Sequence, residues 1–289
     1  MRKKIIEFVI NRLIFLSGIT VIIFVSLIFV LLLIEGVSFF RIVSLKDFVL
    51  GIHWYPISDP PQFGILPLIL GSLFVTVGAT LISIPIGISS ALFISEVAPG
   101  WARDILKSGI ELLAAVPSVV IGFVGMVTLV PYVKTVFNLP TGLTALSGSI
   151  MLAFMAMPTI VSIAEDAITA VPWQYREGAL ALGATRWQTM YRIVIPAAYP
   201  GIIAAIMLGI GRVIGETMCV MMITGNSAAL PHTFFQPVRT MTATIAAEMG
   251  EAVHGSDHYH ALFAIGLVLF IITFFINFIA DVFLHRVKR

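Results

Sequence analysis

The sequence predicts an all-α polytopic membrane protein with six transmembrane helices. Three observations point there. Of 289 residues, 59% are hydrophobic and 11% charged, whereas soluble domains carry about 25% charged residues. The mean hydropathy is +1.05. Apolar runs of spanning length recur six times, where a span needs about 20 such residues, within a range of about 17–25. A soluble globule cannot hide this much apolar surface.

Residues 1–12 are polar enough to form a short N-terminal segment, beginning Met1-Arg2-Lys3-Lys4. The first span covers 13–34. It is longer than the roughly 7–15-residue core of a cleaved signal, and no A-x-A site follows, so it is expected to be retained. A connection over 35–68 carries His53-Trp54-Tyr55-Pro56 and Asp59-Pro60-Pro61. The second span, 69–95, is long enough to tilt or project from the bilayer. Glu96 and Asp104 beyond it read as solvated, and Glu111 as a helix-start residue of the third span, 110–132. A short connection over 133–145 has Asn138, Pro140 and Gly142 as turn formers. The fourth span is 146–169, the fifth 199–224 and the sixth 261–284, with a polar connection over 225–260 and a tail at 285–289. Pro85, Pro117 and Pro158 lie in spans and are expected to bend them.

Orientation follows from Lys and Arg placement. With the N-terminus inside, twelve of the 17 basic residues fall on the cytoplasmic side and four on the outer side, with Arg212 inside a span. Both termini are therefore expected to be cytoplasmic. Cys219 is the only cysteine, which excludes an intramolecular disulfide and a cysteine zinc cluster. Glu248, Glu251, His254, Asp257, His258 and His260 crowd the last outer connection. They have no tight ligand spacing, so a solvated loop or docking surface is expected and no metal. His53, His232 and His285 carry no special signal.

Arg212 and Glu216 interrupt the apolar run of the fifth span. A charge at bilayer depth costs about 2.5–3.5 kcal/mol on insertion scales and commonly marks an ion or substrate path. At i and i+4 the two share a helix face, so Glu216 is expected to neutralise Arg212 directly. A buried ion pair that only fixes helix packing is the alternative. Gly211-x-x-x-Gly215 is expected to admit a closely packed helix.

Between the fourth and fifth spans, residues 172–186 form a short amphipathic helix outside the membrane. Pro172 suits its start and Gly183 its end. Glu177 is expected in an early turn, and Tyr175, Ala179 and Leu182 on one exposed apolar side. The stretch resembles the EAA loop of ABC importer permeases, whose pattern is E-A-A, three residues, G, nine residues, I, one residue, L-P. Here it reads Glu177-Gly178-Ala179, Gly183, Ile193 and Ile195-Pro196, with Gly178 and Ile195 as mild departures.

From about Trp54 to Asn277 the chain is similar to phosphate ABC importer permease subunits of the PstC type. PPQFGILPLILGS, GIGRVIGETMCVMMITGN and the AAEMGEA–HYHALFA segment carry that likeness. The resemblance implies the type I ABC importer permease (MetI-like) fold, with a core of about 70–284. It implies a second permease of PstA type, two ATPase subunits of PstB type and an extracytoplasmic phosphate-binding protein of PstS type, at a bacterial or archaeal cytoplasmic membrane. Glu177, Gly178, Ala179, Gly183, Ile193, Ile195 and Pro196 would couple to the ATPase. Arg212, Glu216 and, with weaker support, Thr217 match the family's GR-x-x-GET motif and would line the phosphate path. Bare carboxylates repel phosphate, so Glu165 and Asp166 are expected to be structural or coupling residues.

The chain has no G-x-x-x-x-G-K-[ST] loop, so no cofactor is expected on it. ATP and Mg²⁺ would be used by the partner ATPase, with this chain non-catalytic. A guanidinium alone cannot choose among tetrahedral oxyanions, which leaves sulfate, molybdate and tungstate open. A secondary anion carrier is disfavoured because it has no use for an ATPase-docking helix.

Overall fold

The computed structural model describes the backbone of residues 2–287 and the side chains of residues 7, 10–279 and 282. Met1, Lys288 and Arg289, and the side chains of Arg2, Lys3, Lys4, His285 and Arg286, lie outside the described residues. So does their part of the expected charge bias.

Among the described residues, six helices are long and apolar enough to cross a membrane. The chain runs through α1 (Arg2–Phe39), α2 (Leu45–Leu50), a hairpin of β1 (Trp54–Tyr55) and β2 (Gln62–Phe63), then α3 (Leu66–Leu92). The end of α3 winds into a π-helical turn, Phe93–Val97. Next come α4 (Gly100–Ala114), α5 (Ser118–Val136), α6 (Ala145–Thr169), α7 (Trp173–Ala181) and α8 (Arg186–Thr189). A second π turn, Met190–Val194, leads into α9 (Ile195–Ile214), followed by α10 (Met218–Ile223), α11 (Met241–Glu248) and α12 (Asp257–Val287).

Two expected spans are corrected. The third does not begin at 110. The helix α4 stops at Ala114, and α5 starts at Ser118 behind Pro117. Proline pushes the preceding residue out of the helical region, so the chain must break before it. Residues 100–114 form a separate amphipathic helix, and the spanning helix runs on to Val136. The fifth expected span is also discontinuous. Its helical run extends back through α9 and the π turn to Arg186, stops at Ile214, and resumes as the six-residue α10. The connections are more ordered than their composition suggested. The first contains α2 and the hairpin, in register Trp54↔Phe63 and Tyr55↔Gln62, and the last contains α11.

Helix α6 is the hub, packing against α3, α9, α4, α5 and α10. Its Ile160 is 1% exposed and fits between helices because the Cβ positions of Gly87 and Gly209 lie 2.9 and 2.5 Å from its side chain. Helix α1 lies against α12. The helix bundle has two distinct ends. The basic end carries α4, α7 and α8, with a core of Ile94, Ile168, Val194 and Ile202. The hairpin end carries β1, β2 and α11, with a core of Phe39, Phe48, Trp54, Leu262 and Ile265.

At the hairpin end Gly142 permits a backbone crossing. A Cβ there would sit 1.8 Å from the Val130 carbonyl oxygen. Gly142→Ala is expected to lower stability by about 3 kcal/mol, the upper part of the overpacking range, because the obstacle is backbone and cannot rotate away. Thermal unfolding of the detergent-solubilised protein checks this; an unchanged midpoint would show that the crossing opens freely.

Candidate functional site

The break in α9 forms the site. Backbone hydrogen bonds from Gly215 to Gly211 (3.2 Å) and from Glu216 to Val213 (3.2 Å) close the last turn. The chain then turns, and the Glu216 carboxylate accepts a hydrogen bond from the Cys219 amide at 3.0 Å. This satisfies one of the amides left unpaired at the start of α10. The Glu216 carbonyl accepts from the Thr242 hydroxyl on α11 at 2.9 Å. Thr217, half-buried, donates its hydroxyl to the Gly215 carbonyl at 3.3 Å.

Arg212 therefore stands apart from Glu216. The i, i+4 relation requires an unbroken helix, and the helix ends between them. The expected direct neutralisation is corrected: Glu216 acts as a cap. Among the described residues Arg212 makes one hydrogen bond, from Nη1 to the Thr159 hydroxyl of α6 at 3.1 Å. A guanidinium carries five N–H donors in a planar fork. A half-buried arginine with one such bond keeps donor capacity for an oxyanion. Gly211 and Gly215 do not receive another helix of this chain. A Cβ at Gly211 would meet nothing within 4 Å, and one at Gly215 only the Gly211 carbonyl oxygen at 3.5 Å. The surface beside Arg212 is thus small and open.

At the basic end, α7 ends as its sequence suggests. Gly183 adopts φ +83°, a left-handed conformation suited to glycine, and the Ala184 amide bonds the Ala179 carbonyl at 3.1 Å. Glu177 and Gly178 are exposed, as are Gly183 and Pro196, while Ile193, within the π turn, and Ile195, just after it, are half-buried. Two expectations are corrected. Glu177 lies in the second turn of α7, since the helix starts at Trp173, and gains little from the helix dipole. The apolar stripe is split: Tyr175 and Leu182 are exposed, but Ala179 is buried inward. Leu182 lies just past the end of α7, at its C-cap, and the side that carries Arg176 and Ala179 is buried against the rest of the fold.

Glu96 is not solvated. It pairs with Arg176 at 2.6 Å. Glu165 is 1% exposed and accepts from Arg103 at 2.5 Å, Lys107 at 2.7 Å and Thr169 at 3.0 Å. Lys107 also reaches Asp166 at 2.8 Å. Hydrogen bonding to Asp166 and then to Glu165 raises the Lys107 pKa above its ordinary 10.5, against an opposing contribution from burial. This network joins α4 to α6. The pairings of Glu96 with Arg176 and of Glu165 with Arg103 and Lys107 join residues some 60–80 positions apart, beyond any local pattern.

At the hairpin end, Glu248 is a hub and not a solvated loop residue. Its carboxylate accepts from Trp54 Nε1 (3.0 Å), Arg239 (2.7 Å) and sits 2.9 Å from His258 Nε2. Among the described residues no group of three or more His, Cys, Asp or Glu side chains is placed to hold a metal ion.

Residues 83–289 match the family described as binding-protein-dependent transport system inner membrane component. The chain belongs to that family, and it is a multi-pass membrane protein. It is 41% identical over 243 residues to the probable ABC transporter permease protein YqgH of Bacillus subtilis, spanning 83% of this chain and 79% of that one. It is 35% identical over 274 residues to the phosphate transport system permease protein PstC of Xylella fastidiosa, spanning 88% and 81%. Its fold matches a chain of the MetNI methionine ABC transporter in an inward-facing conformation. That match has a TM-score of 0.63 and 17% identity, and covers 81% of this chain and all of that one. A bacterial ABC transporter involved in import of the acidic polysaccharide alginate gives a TM-score of 0.60 at 16% identity, over 91% and 96%. The fold is that of ABC importer permeases.

Proposed function

We propose that the chain is a membrane-spanning permease subunit of an ATP-driven importer of inorganic phosphate, working by alternating access. The observation that carries this reading is Arg212. It is a half-buried guanidinium at a helix break in a span, with hydrogen-bonding capacity left over. A planar fork suits two oxygens of one phosphate. Relatives named for phosphate transport, at 32–35% identity over most of the chain, support the substrate. Thr217 offers a second donor. Glu216, as a cap beside the path, supplies negative charge that keeps phosphate from being held too tightly to leave.

In this reading the basic end faces the cytoplasm, with both termini on that side of a bacterial or archaeal inner membrane. The chain pairs with a second permease of PstA type across the open Gly211–Gly215 surface. Two ATPase subunits of PstB type engage α7 through Glu177, Gly178 and its neighbours, with Gly183 setting the helix end. Ile193, Ile195 and Pro196 shape the return into α9. A phosphate-binding protein of PstS type delivers the anion at the hairpin end. ATP and Mg²⁺ belong to the ATPase, and this chain performs no bond-making chemistry.

The test is labelled phosphate uptake in cells lacking this gene, with the gene restored and with sulfate, molybdate and tungstate as competitors. The expected result is ATP-dependent uptake that resists all three. Displacement of phosphate by molybdate or sulfate would keep the importer and move the substrate to another tetrahedral oxyanion. Uptake independent of ATP would point to a secondary carrier.

A further inference from the structure

Helix α7 is fastened to the spans by Arg176, which is 7% exposed. Its Nη1 donates to the Val171 carbonyl at 2.6 Å and its Nη2 to the Ile168 carbonyl at 3.0 Å. Nη2 and Nε also donate to Glu96 Oε1, at 2.6 and 3.2 Å. The Trp173 ring lies 5.5 Å from the guanidinium carbon. Ile168 and Val171 belong to the end of α6 and the turn after it, and Glu96 to the π turn that ends α3. One planar group therefore joins α7 to the ends of two spans.

Away from Arg176, α7 presents Tyr175, Glu177 and Gly178 to solvent, with Leu182 exposed just past its end. The surface offered to a partner and the attachment to the spans thus lie on different sides of one short helix. Arg176 is one path by which a force applied to the outer face reaches the spans, beside the packing of α7 on the π turn before α9. Its two branches differ. The bonds to Ile168 and Val171 anchor α7 to α6, the hub. The bond to Glu96 reaches α3 through a π turn, where an i→i+5 register gives a local irregularity of the kind that recurs at functional sites.

Resting on the permease reading above, we infer that Arg176 and Glu96 form the joint that carries displacement of α7 into α3. They are positioning residues and touch no substrate. Glu96→Ala cuts only the α3 branch and leaves both carbonyl bonds of Arg176. Glu96→Gln keeps an acceptor oxygen for the guanidinium.

The experiment uses the whole complex, purified through a tag on this chain and reconstituted into vesicles. Subunit content, ATP hydrolysis and phosphate uptake are measured together. With Glu96→Ala the complex is expected to keep its subunits and to hydrolyse ATP near the wild-type rate. Phosphate imported per ATP should fall about tenfold, and Glu96→Gln should restore most of it. An unchanged ratio in Glu96→Ala overturns the joint. So does loss of subunits with uptake and hydrolysis falling in step, which marks a purely structural pair. Wild-type vesicles without ATP-dependent phosphate uptake would instead overturn the permease reading, and the joint with it.

Discussion

Arg212→Gln is expected to abolish phosphate uptake while the complex still assembles. Glutamine keeps much of the side chain's length and can still bond the Thr159 hydroxyl, but it loses the charge and the fork. Hydrogen bonds to charged groups contribute about 1.5–3 kcal/mol each. Losing two of them to a phosphate lowers transport by about two to four orders of magnitude. Arg212→Lys separates charge from geometry: it keeps the positive charge but offers no planar pair of donors, and should fall between the wild type and Arg212→Gln. Uptake in cells, with co-purification of the other subunits, reads both. An Arg212→Gln variant that transports normally removes Arg212 from the path. The structure gives a reason to expect assembly to survive, because among the described residues the guanidinium bonds one hydroxyl and supports no network.

The second large effect is expected at the link between α4 and α6. Glu165 is 1% exposed, whereas the side chains of Arg103 and Lys107 are 32% and 36% exposed. That asymmetry decides which deletion hurts. Removing both cations, in Arg103→Ala/Lys107→Ala, strands a buried carboxylate, and breaking a buried pair in this way costs about 3–5 kcal/mol. Removing the carboxylate, in Glu165→Gln, leaves two cations that can turn to water, at a cost of about 1 kcal/mol. Thermal unfolding in detergent should show the double variant losing several times more stability than Glu165→Gln. Equal losses would mean that Glu165 finds compensation elsewhere. The raised Lys107 pKa fixes the sign of the pH dependence. Its stabilising contribution is complete below the unfolded value of 10.5 and is lost as pH rises through the folded value. Between pH 6 and 9 the link should therefore be insensitive to Lys107 titration.

The six apolar helices were legible because spanning length and low charge act within single segments. Pro172 and Gly183 were legible for the same local reason, since each acts on its own backbone. The break between Arg212 and Glu216 was not. GIGRVIGET reads as continuous apolar helix, and only the capping of α10 by Glu216 and the Thr242 bond from α11 reveal that the chain turns there. Glu96 and Glu248 were misjudged, and Glu165, expected as a structural or coupling residue, was left without named partners, for one shared reason. Each finds its partners across the fold: Glu96 in Arg176, Glu165 in Arg103 and Lys107, Glu248 in Trp54. A carboxylate next to a span boundary looks solvated in one dimension whether or not a cation meets it in three. Pro117 was visible but misread as a bend within a span, when its restriction on Val116 ends one helix and starts another.

Helix α6 is the least apolar of the six candidate spans and the most enclosed by protein. Its neighbours shield it from lipid, so Ser147, Ser149 and Glu165 can be buried within it. The consequence falls on biogenesis. While the chain is being made, α6 leaves the ribosome after α3, α4 and α5 but before α9 and α10, two of the helices that will cover it. It must enter the bilayer half-clothed, as the weakest candidate for unaided insertion. Its residence there is secured retroactively, when the C-terminal helices arrive.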